Sequence, residues 1–236
     1  MSSRQGRDVL VRCEEVARTF GSGIGAIVAV HNISCEIHAG DHLALTGPSG
    51  SGKSTLLHLL AGLDEPTTGA VTWPAIGDRL ALRPGAVAVV FQGPSLMPPL
   101  DVVENVALPM ILAGVDESTA RAAAMAALER LHLEPIAAKL PEELSGGQSQ
   151  RVAVARVLAG QPRLILADEP TGQLDHVAAR VVVDALVDAA THLGAALIIS
   201  THDPVIAERF GERWAMADGT FATQHRNIGG RASCSA

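Results

Sequence analysis

The stretch HLALTGPSGSGKSTLLHLL, His42 to Leu60, passes from a short apolar run through a glycine-rich turn into a helix-forming segment. His42 to Thr46 reads as a strand, and Ser54 to Leu60 continues as a helix. Between them GPSGSGKS sets four residues between Gly47 and Gly52, directly ahead of Lys53 and Ser54. Glycine lets the backbone turn so tightly that consecutive N–H groups point at one anion, and the helix that follows adds the positive end of its dipole. The loop Gly47, Pro48, Ser49, Gly50, Ser51, Gly52 is therefore expected to cradle phosphates. Lys53 would reach the β- and γ-phosphates, and Ser54 would place its hydroxyl on Mg²⁺.

Further along, LILADEP, Leu164 to Pro170, ends a buried strand in two adjacent carboxylates. A magnesium ligand and a general base must both stand beside the γ-phosphate, and a strand end projects them into the same crevice. Asp168 is expected to serve the metal, through water, and Glu169 to polarise the attacking water. Gln92 directly follows the strand VAVVF, where its amide can meet the metal or the water. Of nine histidines only His202 lies at a strand end behind this site, after LIIST, where a ring nitrogen can hydrogen-bond the γ-phosphate.

Leu144 to Gln148 reads LSGGQ and opens a helix running to about Ala159. Ser145 with the amides of Gly146 and Gly147 thus forms a second phosphate-binding helix start. One triphosphate shared by both surfaces would need them close together, yet a long helical segment separates them in sequence. Two subunits meeting head to tail reconcile this, so the working unit is expected to be a pair.

The rest of the chain places these motifs. Val9 to Ala17 and Ser34 to Ile37 read as strands around a Gly21 to Gly25 turn, and Val87 to Phe91 as a buried strand. Gly93 to Pro99 holds three prolines and is irregular, whereas Val103 to Leu112 and Glu117 to Leu133 are helical. Residues 93–145 are expected to form a helical insertion in a single domain spanning 1–236. Val177 to Thr191 is a helix, Ala195 to Ser200 a strand, and residues 224–236 a loose polar tail. Strands alternating with helices imply a parallel sheet with its loops gathered at the carboxyl edge.

Composition narrows the class. Among 236 residues, 18 basic and 25 acidic side chains give a net charge of −7, with no basic run, so nucleic acid is not an expected partner. Cys13, Cys35 and Cys234 lack C-x-x-C spacing, which points to neither a disulfide framework nor a zinc site. No apolar run approaches the ~18 residues that span a bilayer, so any membrane role is expected through a partner.

Taken in this order, the motifs resemble the ATP-binding cassette of ABC transporters, over Val9 to about Phe221. GPSGSGKST, through Thr55, is similar to its Walker A, Gln92 to its Q-loop glutamine, and LSGGQ, including Gln148, to its signature. LILADEP resembles its Walker B, Gly172 to Asp175 its D-loop, and His202 its switch histidine. The resemblance implies an α/β fold: a P-loop NTPase core with a mostly parallel sheet, an antiparallel β subdomain and an inserted helical subdomain. It also implies ATP and Mg²⁺, a homodimer with two sandwiched ATP molecules, and an integral membrane permease at the cytoplasmic face of the membrane. Phe20 stands where the family has an aromatic, commonly Tyr, stacked on adenine. GSGIGAIVAVHNIS and VENVALPMILAGV resemble the branch of lipoprotein-releasing and macrolide-exporting cassettes, in which extrusion or extraction is the task. Two departures from the family pattern stand out: Ala70 to Phe91 is shorter than usual there and lacks the family's familiar basic residues, and Ser149 interrupts the usual glutamine run after the signature. Val106 to Val115 offers either a permease contact or core packing. A soluble non-transport ATPase, and an ATPase regulating an extracytoplasmic partner, remain open alternatives at this point.

Overall fold

The computed structural model describes residues 6–93 and 95–226, the last two by backbone alone. The chain opens with β1 (Val9–Phe20) and β2 (Ile27–His38), an antiparallel pair in which Cys13 faces Cys35 and Phe20 faces Ile27. β3 (His42–Thr46) then leads through the glycine loop into α1 (Lys53–Leu60). β4 (Thr68–Thr72) returns to the other edge of β1, giving a small antiparallel sheet ordered β2-β1-β4. β5 (Val87–Val90) follows, then α2 (Val102–Leu112), α3 (Glu117–Arg130) and α4 (Gly146–Gly160). The chain ends in β6 (Leu164–Asp168), α5 (His176–Leu193), β7 (Ala196–Thr201), the short α6 (Pro204–Ala207), β8 (Glu212–Ala217) and β9 (Thr220–Arg226).

The large sheet has the order β5-β6-β7-β3-β8-β9, with all neighbours parallel except β8 and β9. Its central strands β6 and β7 are buried on both faces, as the unbroken apolar runs LILAD and ALIIS require. Successive side chains alternate between two cores. Leu164 and Leu166 pack with α1 and the small sheet, and Ile165 and Ala167 pack with α2, α4 and α5. Truncating one of these leucines to alanine removes about 2–5 kcal/mol.

Helix limits follow local chemistry. α2 opens on a capping box, in which Asp101 accepts from the Glu104 amide and Glu104 accepts from the Asp101 amide. α5 starts on Asp175, which accepts from the amides of Val177 and Ala178, and stops at Gly194 in the left-handed region.

The fold is the expected α/β arrangement, with four differences of detail. β1 runs three residues beyond Ala17, and β2 begins seven residues before Ser34, because the two strands hold each other in register around the glycine turn. α3 ends at Arg130, followed by His132 at positive φ. Between β4 and β5 the chain makes no further strand, only short turns at Arg79–Ala81 and Leu82–Ala86, with Trp73 buried and donating to the Leu60 carbonyl. Finally, Gln224 to Arg226 pair with β8, so strand order reaches three residues into the expected loose tail; residues 227–236 lie outside the described residues.

Candidate functional site

Parallel pairing brings the carboxyl ends of β3, β6 and β7 to one edge, with Thr46 opposite Thr201 and Asp168 opposite Ser200. The glycine loop, the Asp168–Glu169 pair and His202 leave the sheet there.

The glycine loop fits too closely for a side chain at two points. A Cβ at Gly47 would stand 2.3 Å from the Met216 carbonyl oxygen, and one at Gly52 would stand 2.2 Å from that of Ala29. Both glycines also have positive φ, 148° and 96°. The Ser51 hydroxyl is buried inside this cradle with no hydrogen-bond partner, and a phosphate oxygen would give it one. Gly52 caps α1 without a side chain, so the first-turn amides face the loop. Lys53 is buried, its Nζ donating to the carbonyls of Gly47 (2.9 Å) and Pro48 (3.1 Å).

Glu169 joins this cluster from the next strand end. Its Oε1 lies 3.5 Å from Lys53 Nζ, and its Oε2 lies 3.2 Å from His202 Nδ1. The residue sits at φ 42°, a left-handed turn that swings the carboxylate back over the loop while Asp168 stays in the strand. Gln92 is beside them: a Cβ on Gly172 would be 3.0 Å from Gln92 Nε2 and 3.6 Å from Glu169 Oε2. Lys53, Glu169, His202 and Gln92 are thus assembled, with Asp168 directly behind Glu169.

Two contributors are missed by motif reading. Ser200, fully buried in β7, accepts from the Glu169 backbone amide (2.9 Å) and donates to Asp168 Oδ1 (2.7 Å), tying the Asp168 carboxylate and the Glu169 backbone to the neighbouring strand. Its signal is a hydroxyl closing the aliphatic run ALII. Gln150, buried in α4, donates to the Phe91 carbonyl at 3.0 Å, one residue before Gln92. Gln150 lies one turn into α4, a spacing that carries no chemistry of its own.

The LSGGQ segment begins α4 with a capping box. Ser145 Oγ accepts from the Gln148 amide (3.3 Å), and Gln148 Oε1 accepts from the Ser145 amide (2.9 Å). The pattern S-x-x-Q is legible in the sequence. Ser145, Gly147 and Gln148 line a cavity of about 240 Å³. Gly47, Pro48 and His202 line a different cavity, of about 530 Å³, and the two share no residue. Phe20 is 42% exposed where β1 ends.

For magnesium, the available donors are the Ser54 hydroxyl, the Asp168 carboxylate and the Gln92 amide oxygen, all hard oxygens. Among the described residues no group of three or more His, Cys, Asp or Glu forms a cation cage. A Mg²⁺ that keeps waters and phosphate oxygens needs only one or two protein oxygens, so this donor set fits.

A strand, glycine loop and helix cradle for phosphate, with an acid pair at the adjacent strand end, defines a P-loop nucleoside triphosphatase. The sequence comparisons narrow this class. The ABC transporter family model matches residues 30–172. The lipoprotein-releasing system ATP-binding protein LolD of Legionella pneumophila (strain Paris) is 40% identical over 221 residues, covering 91% of this chain and 97% of that protein. An uncharacterized ABC transporter ATP-binding protein of Mycobacterium tuberculosis is 39% identical over 209 residues, 86% of this chain and 84% of its own length. The structure is similar to a dimeric ATP-binding cassette in a post-hydrolysis state bound to ADP and Pi. That match has a TM-score of 0.83 and 34% identity, covering 93% of this chain and 100% of that one. The chain belongs to the ABC transporter family and is an ATP-binding, ATP-hydrolysing subunit.

Proposed function

We propose that this ATPase works as a head-to-tail homodimer that drives an export or extraction permease from the cytoplasmic face of the inner membrane. The observation that carries it is the Lys53, Glu169 and His202 cluster at the sheet edge, with LSGGQ opening onto a separate cavity. Gly47 to Thr55 hold the ATP phosphates, and the partner copy's LSGGQ helix start closes the same nucleotide from above. Dimeric relatives support this pairing.

Glu169 accepts the proton of the attacking water. His202 holds Glu169 Oε2, which orients the carboxylate and leaves Oε1 for the water as Lys53 turns to the phosphates. Ser54, Asp168 and Gln92 would hold Mg²⁺, which when bound neutralises phosphate charge. Phe20 gives the adenine base a stacking face.

The permease docks on the groove between β5 and α2. This cavity, about 340 Å³, is lined by Val89, Phe91, Leu108, Leu112, Ala153 and Val157 among others. Within Val106 to Val115, Val106 and Ala107 are core residues, so the contact surface reduces to the outer part of the segment, where Leu112 is 72% exposed. Among the described residues no helix is long and apolar enough to cross a membrane. Purification from gently solubilised membranes should recover an integral membrane protein, and Leu112→Glu should lose it while keeping ATP binding. Recovery of soluble partners alone would refute the permease reading.

A further inference from the structure

The end of β1 carries an arrangement that the phosphate chemistry does not use. The Arg18 guanidinium carbon lies 4.6 Å from the centroid of the Phe20 ring. The same guanidinium forks onto Asp64, with Nε 2.9 Å from Oδ2 and a terminal nitrogen 2.8 Å from Oδ1. Asp64 follows α1, and its own amide donates to the His58 carbonyl of that helix at 3.3 Å. A chain of contacts therefore runs from the phosphate-loop helix through Asp64 and Arg18 to Phe20.

Residues two apart on a strand share a face, which is why Arg18 reaches the Phe20 ring. Phe20 pairs with Ile27, two residues from Ala29, whose carbonyl abuts Gly52. At about 3.3 Å per residue the Ile27 position that pairs with Phe20 stands roughly 7 Å along β2 from Ala29, which places the end of β1 on the phosphate-loop side of the small sheet. An unsupported Phe at a strand end samples several rotamers, and ordering it on base binding costs entropy. A bidentate Arg–carboxylate fork fixes the guanidinium plane, and a fixed cation on one ring face holds the ring while leaving the other open.

We propose that Arg18, held by Asp64, is a positioning residue that presents Phe20 as the platform for the purine base of the bound nucleotide. The inference rests on the reading of Phe20 as the base-stacking residue. It makes affinity for the base, but not for the phosphates, depend on Arg18.

The test measures binding of ATP and of inorganic tripolyphosphate to the full-length chain, with ATPase kinetics alongside. Arg18→Met should weaken ATP about 2- to 5-fold, leave tripolyphosphate unchanged, and raise KM for ATP at constant kcat. Asp64→Asn, which breaks the fork without touching the ring, should shift ATP binding in the same direction. Tripolyphosphate binding reports that each variant is folded, and Asp64→Asn carries the test if Arg18→Met does not fold. Phe20→Leu separates the two readings. If Phe20→Leu weakens ATP but neither Arg18→Met nor Asp64→Asn does, the positioning role is overturned and the base platform stands. If Phe20→Leu has no effect, the platform reading fails and this inference with it. Tighter ATP binding by Arg18→Met would show that Arg18 covers the face the base needs, which also overturns the proposal.

Discussion

Replacing Glu169 with Gln keeps the side chain's shape and removes one charge, so it separates the two roles that the geometry gives this residue. Unit charges 3.5 Å apart, the Lys53 to Glu169 separation, attract by about 4–5 kcal/mol at an effective dielectric near 20. Glu169 is one-fifth exposed, so screening reduces this to about 1–2 kcal/mol. In Glu169→Gln that attraction no longer competes with the phosphates for Lys53, and ATP should bind as tightly as before or up to about tenfold tighter. Loss of the base has the opposite consequence for turnover, a fall of about 10²- to 10⁴-fold. The variant should therefore accumulate as an ATP-loaded dimer. Phosphate release measured beside sedimentation with ATP reads both effects at once. Hydrolysis within about threefold of wild type would remove Glu169 as the base, and loss of ATP binding would show that its charge holds the loop together instead.

Ser200→Ala should cost about 1–3 kcal/mol in a melting experiment and lower kcat more than ATP affinity, because it strips a buried partner from both Asp168 and Glu169; Ser200→Thr should restore most of the loss. Lys53→Ala and Ser145→Arg subunits should each be inactive alone, yet their mixture should regain activity, since one of the two shared sites in the mixed dimer is intact. No recovery at any mixing ratio would contradict the head-to-tail site. Asp116, which caps α3 through the Ser118 and Thr119 amides, has its pKa drawn down to about 2 by hydrogen bonds from Thr119 and Ser118. A carboxylate with a depressed folded-state pKa stabilises above its unfolded value and loses that stabilisation as pH falls through the folded one. Asp116→Ala should accordingly lower the melting temperature at pH 7 and have a much smaller effect near pH 2, whereas an equal deficit at both pH values would exclude the charged cap.

Most of the nucleotide site was legible because it is written in contiguous motifs. Gly47 to Ser54 could be placed between a strand and a helix from sequence alone, and parallel pairing then dictated that Asp168 and His202 leave the sheet beside it. What stayed illegible depends on pairing between distant segments. β8 and β9 are short, with Trp214 and Phe221 packed edge to face across them, and no contiguous motif announces them. β4 exists because β1 offers it an edge. Ser200 and Gln150 carry no motif, since their importance lies in which backbone group stands opposite them.

These unannounced contacts also determine how the site is wired. The Gln150 side chain donates to the carbonyl of Phe91, a residue that lines the proposed permease groove and precedes Gln92. At the start of the same helix, a Cβ on Gly146 would lie 3.5 Å from Leu174 and one on Gly147 would lie 3.3 Å from Ala178, both on the segment that follows Glu169. Close approach of the glycine backbone on one side and a buried hydrogen bond on the other restrict α4 relative to both. A displacement at the groove therefore cannot be absorbed at Phe91 alone. In the proposed dimer it would move Gln92 against Gly172 and Glu169, together with the LSGGQ helix start proposed to face the partner's nucleotide. The small residues of SGG permit this close seating against α5, and the Ser145 to Gln148 capping box keeps the helix start ordered while the Gly146 and Gly147 amides remain directed outward.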